Sequence, residues 1–135
     1  MLTINMQQMG EAVLLDLKGT LLIPGEDEAL FEAVSGCVNR GGRLVVLDIG
    51  GLARIDAGGL GALVRSRNLL ASLDGELRLV NPTGFVGKVL RLTRLDALIP
   101  TSRIGPSDLP SGDGERIRAS AAAPEGAYWP SASWA

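Results

Sequence analysis

The stretch Leu47-Asp48-Ile49-Gly50-Gly51-Leu52-Ala53-Arg54-Ile55-Asp56-Ala57-Gly58-Gly59-Leu60-Gly61-Ala62-Leu63-Val64 decides the fold. It joins the end of a nearly continuous apolar run, residues 43–49, to the start of an apolar pattern of helical period. A β-branched run of that length is what a strand covered on both faces needs. Residues 50–55 read as a connecting loop. From Ala57 to Leu73, the side chains Leu60, Leu63, Val64, Leu70 and Leu73 recur at helical spacing. Asp56 stands immediately before that period. Its carboxylate is therefore placed to cap the helix by accepting from the Gly58 or Gly59 N–H. Gly58, Gly59 and Gly61 fall in one turn, and each costs about 1 kcal/mol against Ala in a helix. Their use points to close approach of another backbone. The chain's own sheet and a docked partner both satisfy that reading.

Outward from this segment the chain alternates strands and helices. Residues 2–6 alternate apolar and polar, and residues 11–18 form a second strand, with Met9-Gly10 at the turn between them. A helix opens after Pro24-Gly25 with Glu26, Asp27 and Glu28 in its first turn, where carboxylates favour the helix dipole. Its inward face is Leu30, Val34, Cys37 and Val38, and Gly41-Gly42 ends it. After Asp74-Gly75, residues 76–80 make a strand that Asn81-Pro82 stops. Thr83 is positioned to cap a third helix whose inward face is Val86, Val89, Leu90 and Leu95, and residues 98–101 make a last short strand. The order β-β-α-β-α-β-α-β predicts an α/β fold over residues 1–105. Its mixed sheet has four to five strands with helices mainly on one face.

Residues 106–135 differ in kind. They hold Pro106, Pro110, Pro124 and Pro130 and are rich in Ala and Ser, so a disordered tail is expected. Pro106, Pro110 and Gly112 argue against a last helix at 106–118. The tail carries Asp108, Asp113, Glu115 and Glu125 against Arg116 and Arg118, so the net charge of −2 resides there and the body is neutral. Tyr128, Trp129 and Trp134 also lie in the tail, either as anchors or without a role.

Composition removes whole classes of function. A length of 135 residues bounds the chain at about one domain. It has no histidine, which eliminates histidine general bases, Ser-His-Asp and Cys-His nucleophiles, and histidine metal sites. The lone Cys37, on an apolar helical stripe, reads as a small buried hydrophobe. No basic footprint points to nucleic acid. The N-terminus lacks the cationic and apolar regions of a signal peptide, and no apolar run nears the ~20 residues of a membrane span. A cytoplasmic protein that does not insert in a membrane is the expectation. Gly58-Gly59-Leu60-Gly61 fits no phosphate-loop spelling, and Gly87-Lys88 lacks its upstream glycine. Asp48 beside Asp56 reads as a loop cap in preference to an acid–base pair. The acidic start of the first helix, with Glu32, reads as a solvated face, as do the cations Arg65, Arg67, Lys88, Arg91 and Arg94.

Residues 46–64 resemble the signature of STAS domains, the anti-anti-sigma factor family of bacterial partner-switching systems. The family has a V-x-L-D-L strand, a short loop and D-S-S-G-L-G at a helix start. Here these read Val45-Val46-Leu47-Asp48-Ile49 and Asp56-Ala57-Gly58-Gly59-Leu60-Gly61. Leu15-Asp16-Leu17-Lys18-Gly19 resembles the family's second strand, and the segment from Asn81-Pro82 to Leu95 resembles its later helix, so the likeness spans about residues 2–104. The resemblance implies regulation of transcription through docking to an anti-sigma factor, a serine-protein kinase of the ATP-binding type. It implies no cofactor, no metal and no catalysis, and leaves a homodimer open. It places partner contacts at Arg54, Asp56, Ala57, Gly58, Gly59 and Leu60. The residue after the Asp is the family's phosphoacceptor. Here it is Ala57, and residues 49–65 contain no Ser, Thr or Tyr. The nearest downstream hydroxyl is Ser66. The resemblance therefore implies an antagonist that is not switched by phosphate at that position. The alternatives are a stressosome-like scaffold and a cytoplasmic STAS accessory subunit of a membrane transport system.

Overall fold

The computed structural model describes residues 1–104 and the backbone of Glu115–Arg116. The tail aromatics and the question of a helix at 106–118 lie outside the described residues, apart from that dipeptide. The elements run β1 (Leu2–Met9), β2 (Ala12–Leu21), α1 (Glu26–Asn39), β3 (Leu44–Ile55), α2 (Ala57–Ala71), β4 (Glu76–Val80), α3 (Gly84–Leu92), α4 (Leu95–Leu98), β5 (Thr101–Ser102) and β6 (Glu115–Arg116). They form one mixed sheet ordered β5-β4-β3-β2-β1-β6. The five expected strands are present, and the two-residue β6 adds an antiparallel edge on Asn5 and Met6 of β1.

The β1–β2 hairpin closes through Gly10-Glu11, with Met9 opposite Ala12. Gly10 has φ +62°, a conformation that costs glycine little. Strands β2, β3, β4 and β5 then run parallel, and each crossover carries helix. Alternation along the strands sorts side chains between two faces. Val13, Leu15 and Leu17, Val45, Leu47 and Ile49, and Leu77 and Leu79 face the helices and join the main core with Leu30, Val34, Leu63, Leu70, Val86 and Leu90. Cys37 is buried in this core, as its place on the helical stripe predicts, and desolvation pushes its thiol up to about 11. The opposite face holds a smaller cluster of Met9, Ala12, Leu14, Val46, Val80 and Ile104, with no helical residue in it.

The structure corrects four local expectations. Residues 50–55 are not a loop but the second half of β3. They pair with Lys18–Leu21 of β2 through two register shifts, whereas pairing with β4 stops at Asp48 opposite Val80. The glycines that read as strand breakers are there because the neighbouring strand comes close. A Cβ on Gly51 would lie 2.7 Å from Lys18 Cγ and 3.0 Å from the Leu17 carbonyl oxygen. Leu73 lies beyond the end of α2 and is exposed, and the inner face of α2 is completed by Gly59, Ala62 and Ser66. The third helix stops at Leu92. Arg94 takes φ +61°, and Leu95 begins the separate α4. The last strand is Thr101–Ser102, because Leu98 still belongs to α4.

On the helix-free face, Asp16 and Asp48 sit opposite each other on neighbouring parallel strands. Asp48 is buried, and its Oδ1 accepts from the Gly50 N–H at 3.0 Å, the loop-capping role expected of it, though within a strand. Burial, and then the nearby Asp48, push the Asp16 carboxyl above its ordinary value, against the pull of Lys18 at 3.8 Å. A carboxyl raised on folding favours the folded state fully only below its unfolded pKa, and that contribution is lost as pH rises through the raised value. Asp16→Asn is therefore expected to raise the melting temperature at pH 7. The gain should vanish as pH falls below the carboxylate range, as followed by thermal melts across pH.

Candidate partner-docking surface

Strand β3 projects past the end of β4 and delivers Asp56 beside the β2–α1 connection. There one carboxylate ties two elements together. Asp56 Oδ1 accepts from the Gly59 N–H at 2.9 Å, which caps α2 as predicted. Asp56 Oδ2 accepts from the Ile23 N–H at 2.9 Å, which fixes the connection that leads into α1. These two donors, Ile23 first and Gly59 second, hold the carboxyl below its ordinary value. The Asp56 N–H also reaches the Leu21 carbonyl at 3.4 Å.

The glycines of the first turn divide between inside and outside. A Cβ on Gly59 would run into the Leu21 carbonyl oxygen and lie 2.8 Å from Ile55 Cγ1, so the helix start packs on β2 backbone. A Cβ on Gly58 would meet Cγ2 of Ile23, an exposed side chain. A Cβ on Gly61 would meet nothing within 4 Å. The own-sheet explanation thus accounts for Gly59 and, through Ile23, for Gly58. Gly61 is left bare on the solvent side. Ala57 and Arg54 are exposed, while Leu60 is half-buried and packs against the main core. The six residues singled out by the sequence therefore lie along the β3–α2 junction: Arg54, Ala57 and, in part, Leu60 face outward, and Asp56, Gly58 and Gly59 build the frame.

Sequence reasoning missed Ile23, which is 56% exposed next to Gly58. Its signal was present, since an apolar Leu22-Ile23 immediately before Pro24-Gly25 is more than a turn requires. The connection is also pinned by Glu26, whose Oε1 accepts from Thr20 Oγ1 at 2.8 Å and from the Leu22 N–H at 3.1 Å. Beyond the junction, Arg65 of α2 pairs with Glu28 of α1 at 3.2 Å and lies 4.9 Å from the Phe31 ring centroid. That contact joins members of the two charged sets read from sequence, though an exposed pair of this kind stabilises little. Ser66 is fully buried, so the nearest hydroxyl along the chain is out of reach of any modifying enzyme.

No group of three or more His, Cys, Asp or Glu side chains suited to a metal occurs among the described residues. A cavity of about 560 Å³ lies at the other end of the sheet, between Gln8, Glu11, Arg40, Arg43 and Gly75, and none of the junction residues lines it. No helix among the described residues is long and apolar enough to cross a membrane.

Two substitutions separate frame from surface. Gly59→Ala is expected to destabilise the chain by about 1–2 kcal/mol, because overpacking against backbone outweighs the better helix propensity. Gly61→Ala is expected to stabilise it by up to about 1 kcal/mol. Urea denaturation of the two variants tests the assignment.

The geometry agrees with what is known of other proteins. Residues 4–100 match the family model described as "Mlab, STAS domain". An anti-sigma factor antagonist from Thermotoga maritima is 27% identical, with 76% of this chain covered, 86% of that one, and a TM-score of 0.65. The Bacillus cell fate determinant SpoIIAA in its phosphorylated form is 19% identical, with 77% and 93% covered and a TM-score of 0.61. A sulfate transporter family protein from Wolinella succinogenes is 14% identical, with 69% and 77% covered and a TM-score of 0.60, so these last two share the fold. We find no match among curated proteins. With its fold, its Asp-capped helix start and a family match over residues 4–100, the chain belongs to the STAS domain family.

Proposed function

We propose that this STAS domain is a non-enzymatic, cytoplasmic interaction module of the anti-sigma factor antagonist type. It acts in partner-switching control of transcription and docks an ATP-binding serine-protein kinase through the β3–α2 junction. The observation that carries the reading is the helix start itself, a rigid, Asp56-capped corner whose outward surface is Ala57 and Gly61 beside Arg54 and Ile23. Such a corner accepts a partner closely because Ala57, Gly58 and Gly59 put nothing larger than a methyl on the first three positions of the helix. The 27% identity to an anti-sigma factor antagonist supports the same assignment.

The missing hydroxyl at position 57 gives this antagonist a fixed state. In the family, phosphate on that residue brings a charge of about −1.5 to −2 into the docking surface and opposes binding. Ala57 accepts no phosphate, and buried Ser66 does not replace it. The module therefore binds whenever its partner is present, and release is governed by partner abundance or by a competitor.

A second reading, a cytoplasmic accessory subunit of a membrane transport system, is supported by the sulfate transporter family protein among the fold relatives. Affinity capture on the full chain separates the two. Recovery of a small ATP-binding kinase supports the antagonist, and recovery of an ATPase–permease pair supports the transporter subunit. With the captured kinase, Ala57→Asp is expected to weaken binding at least tenfold, about 1.4 kcal/mol, by calorimetry. Ala57→Ser is expected to gain phosphate from ATP at that residue while the parent chain does not. Unchanged affinity in Ala57→Asp would place the interface elsewhere.

A further inference from the structure

The helix-free face of the sheet is buried, although no helix packs on it. Side chains standing side by side on neighbouring strands leave their outer ends open to water unless another layer lies over them. On this face Val46 and Val80 are fully buried, Met9 is 1% exposed, and Ala12, Leu14 and Asp48 are buried as well. Among the described residues, only Ile104 joins this cluster from outside β1–β4, and its N–H is held by Asn81 Oδ1 at 2.9 Å. From beside β4, it stands about 10 Å from β2 and about 14 Å from β1 at ordinary strand spacing. Ile104 alone does not bury Leu14 and Met9.

Strand pairing narrows what covers them. Strands β5 and β6 lie at opposite edges of the sheet but on one row of residues. Thr101-Ser102 pair with Leu79-Val80, the row continues through Leu47-Asp48, Leu15-Asp16 and Asn5-Met6, and Glu115-Arg116 pair with Met6 and Asn5. Five strand spacings of about 4.8 Å make a crossing of about 24 Å. The eleven residue steps from Ile104 to Glu115 reach about 34 Å in an extended, polyproline-like form. A direct path over the helix-free face, where Ile104 already sits, is within that reach. A path over the helices adds at least about 20 Å for climbing and descending one helix layer. A path round the hairpin end of the strands adds about 26 Å, four residues each way. Both exceed the available length.

We propose that the helix-free face is an intrachain docking surface whose occupant is residues 105–114, which cross it at right angles to the strands as a permanent layer of the domain. Pro106 and Pro110 favour extended backbone and remove two N–H groups that an apolar face would leave unpaired. Leu109 is the one large aliphatic side chain of the segment and stands at its middle. It arrives over Val46 of β3 and Leu14 of β2, the two central strands. Asp108 passes near Arg78, the half-buried cation opposite Val46. The crossing delivers Glu115-Arg116 to β1, whose edge would otherwise offer unpaired backbone to another chain. The folded unit thus reaches Arg116, and the helix-free face is closed to other proteins. Docking is left to the helical side and the β3–α2 junction, and the inference stands whichever protein that junction binds.

The test keeps the full chain and puts the diazirine analogue of leucine at position 109. Irradiation followed by peptide mass spectrometry is expected to give links within one chain to the strand peptides that carry Leu14 and Val46. Links to helical peptides or no link to protein at all each overturn the proposal. Links between two chains overturn it too and assign the face to a second copy. Leu109→Glu, which sets a charge against a dry apolar face, is expected to lower the melting temperature by at least about 5 °C. An unchanged melting temperature in that variant likewise overturns the proposal.

Discussion

The fold's functional end depends on one carboxylate. Asp56 accepts from the Gly59 N–H on one oxygen and from the Ile23 N–H on the other. Each bond satisfies a donor with no partner in a helix or a strand, and each is charge-assisted. Together they hold three things in register: the end of β3, the start of α2 and the connection from β2 into α1. The glycines follow from this bond. With the helix start drawn onto the β2 backbone, position 59 has no room for a Cβ, and position 58 has room only if Ile23 turns away. An N-cap that in most helices serves only its own helix here sets where three elements meet.

What the sequence made legible, and what it did not, follows the range of the forces involved. Strand and helix placement came from periodicity, which burial enforces residue by residue, so β2, β4, α1 and α2 were readable. The Asp56 cap was readable for the same reason, because its partner Gly59 lies three residues away. Its second partner, the Ile23 N–H, is separated by 33 residues, and no local spacing links the two. The long β3 was misread because Gly50 and Gly51 look like breakers until Lys18 and Leu17 are seen against them. Thr83 shows the same limit. It occupies the N-cap position of α3, but its hydroxyl donates to the Gly50 carbonyl at 3.3 Å and leaves the helix uncapped by side chain. Arg94 was hidden inside a plausible helical run because its left-handed conformation is imposed by the break to α4, not by its identity.

Charge is distributed by element. Glu28 of α1 pairs with Arg65 of α2, and those two helices are stitched at one edge. Lys88 and Arg91 of α3, and Arg94 at the break before α4, have no such counterpart within the described residues. In a body that is neutral as a whole, this separation gives the molecule a polarity that its net charge hides. The absence of histidine removes the side chain that most often switches charge near neutral pH.

The overhang of β3 has a mechanical meaning. Pairing with β4 ends at Asp48, seven residues short of Ile55, so the junction stands roughly 23 Å beyond the last rung shared with β4. Within the sheet, this arm is held by β2 alone. Load applied at the helix corner therefore enters the sheet first through the β1–β2 hairpin, and it reaches the α3 half through the shared core and the Thr83 hydroxyl on the Gly50 carbonyl.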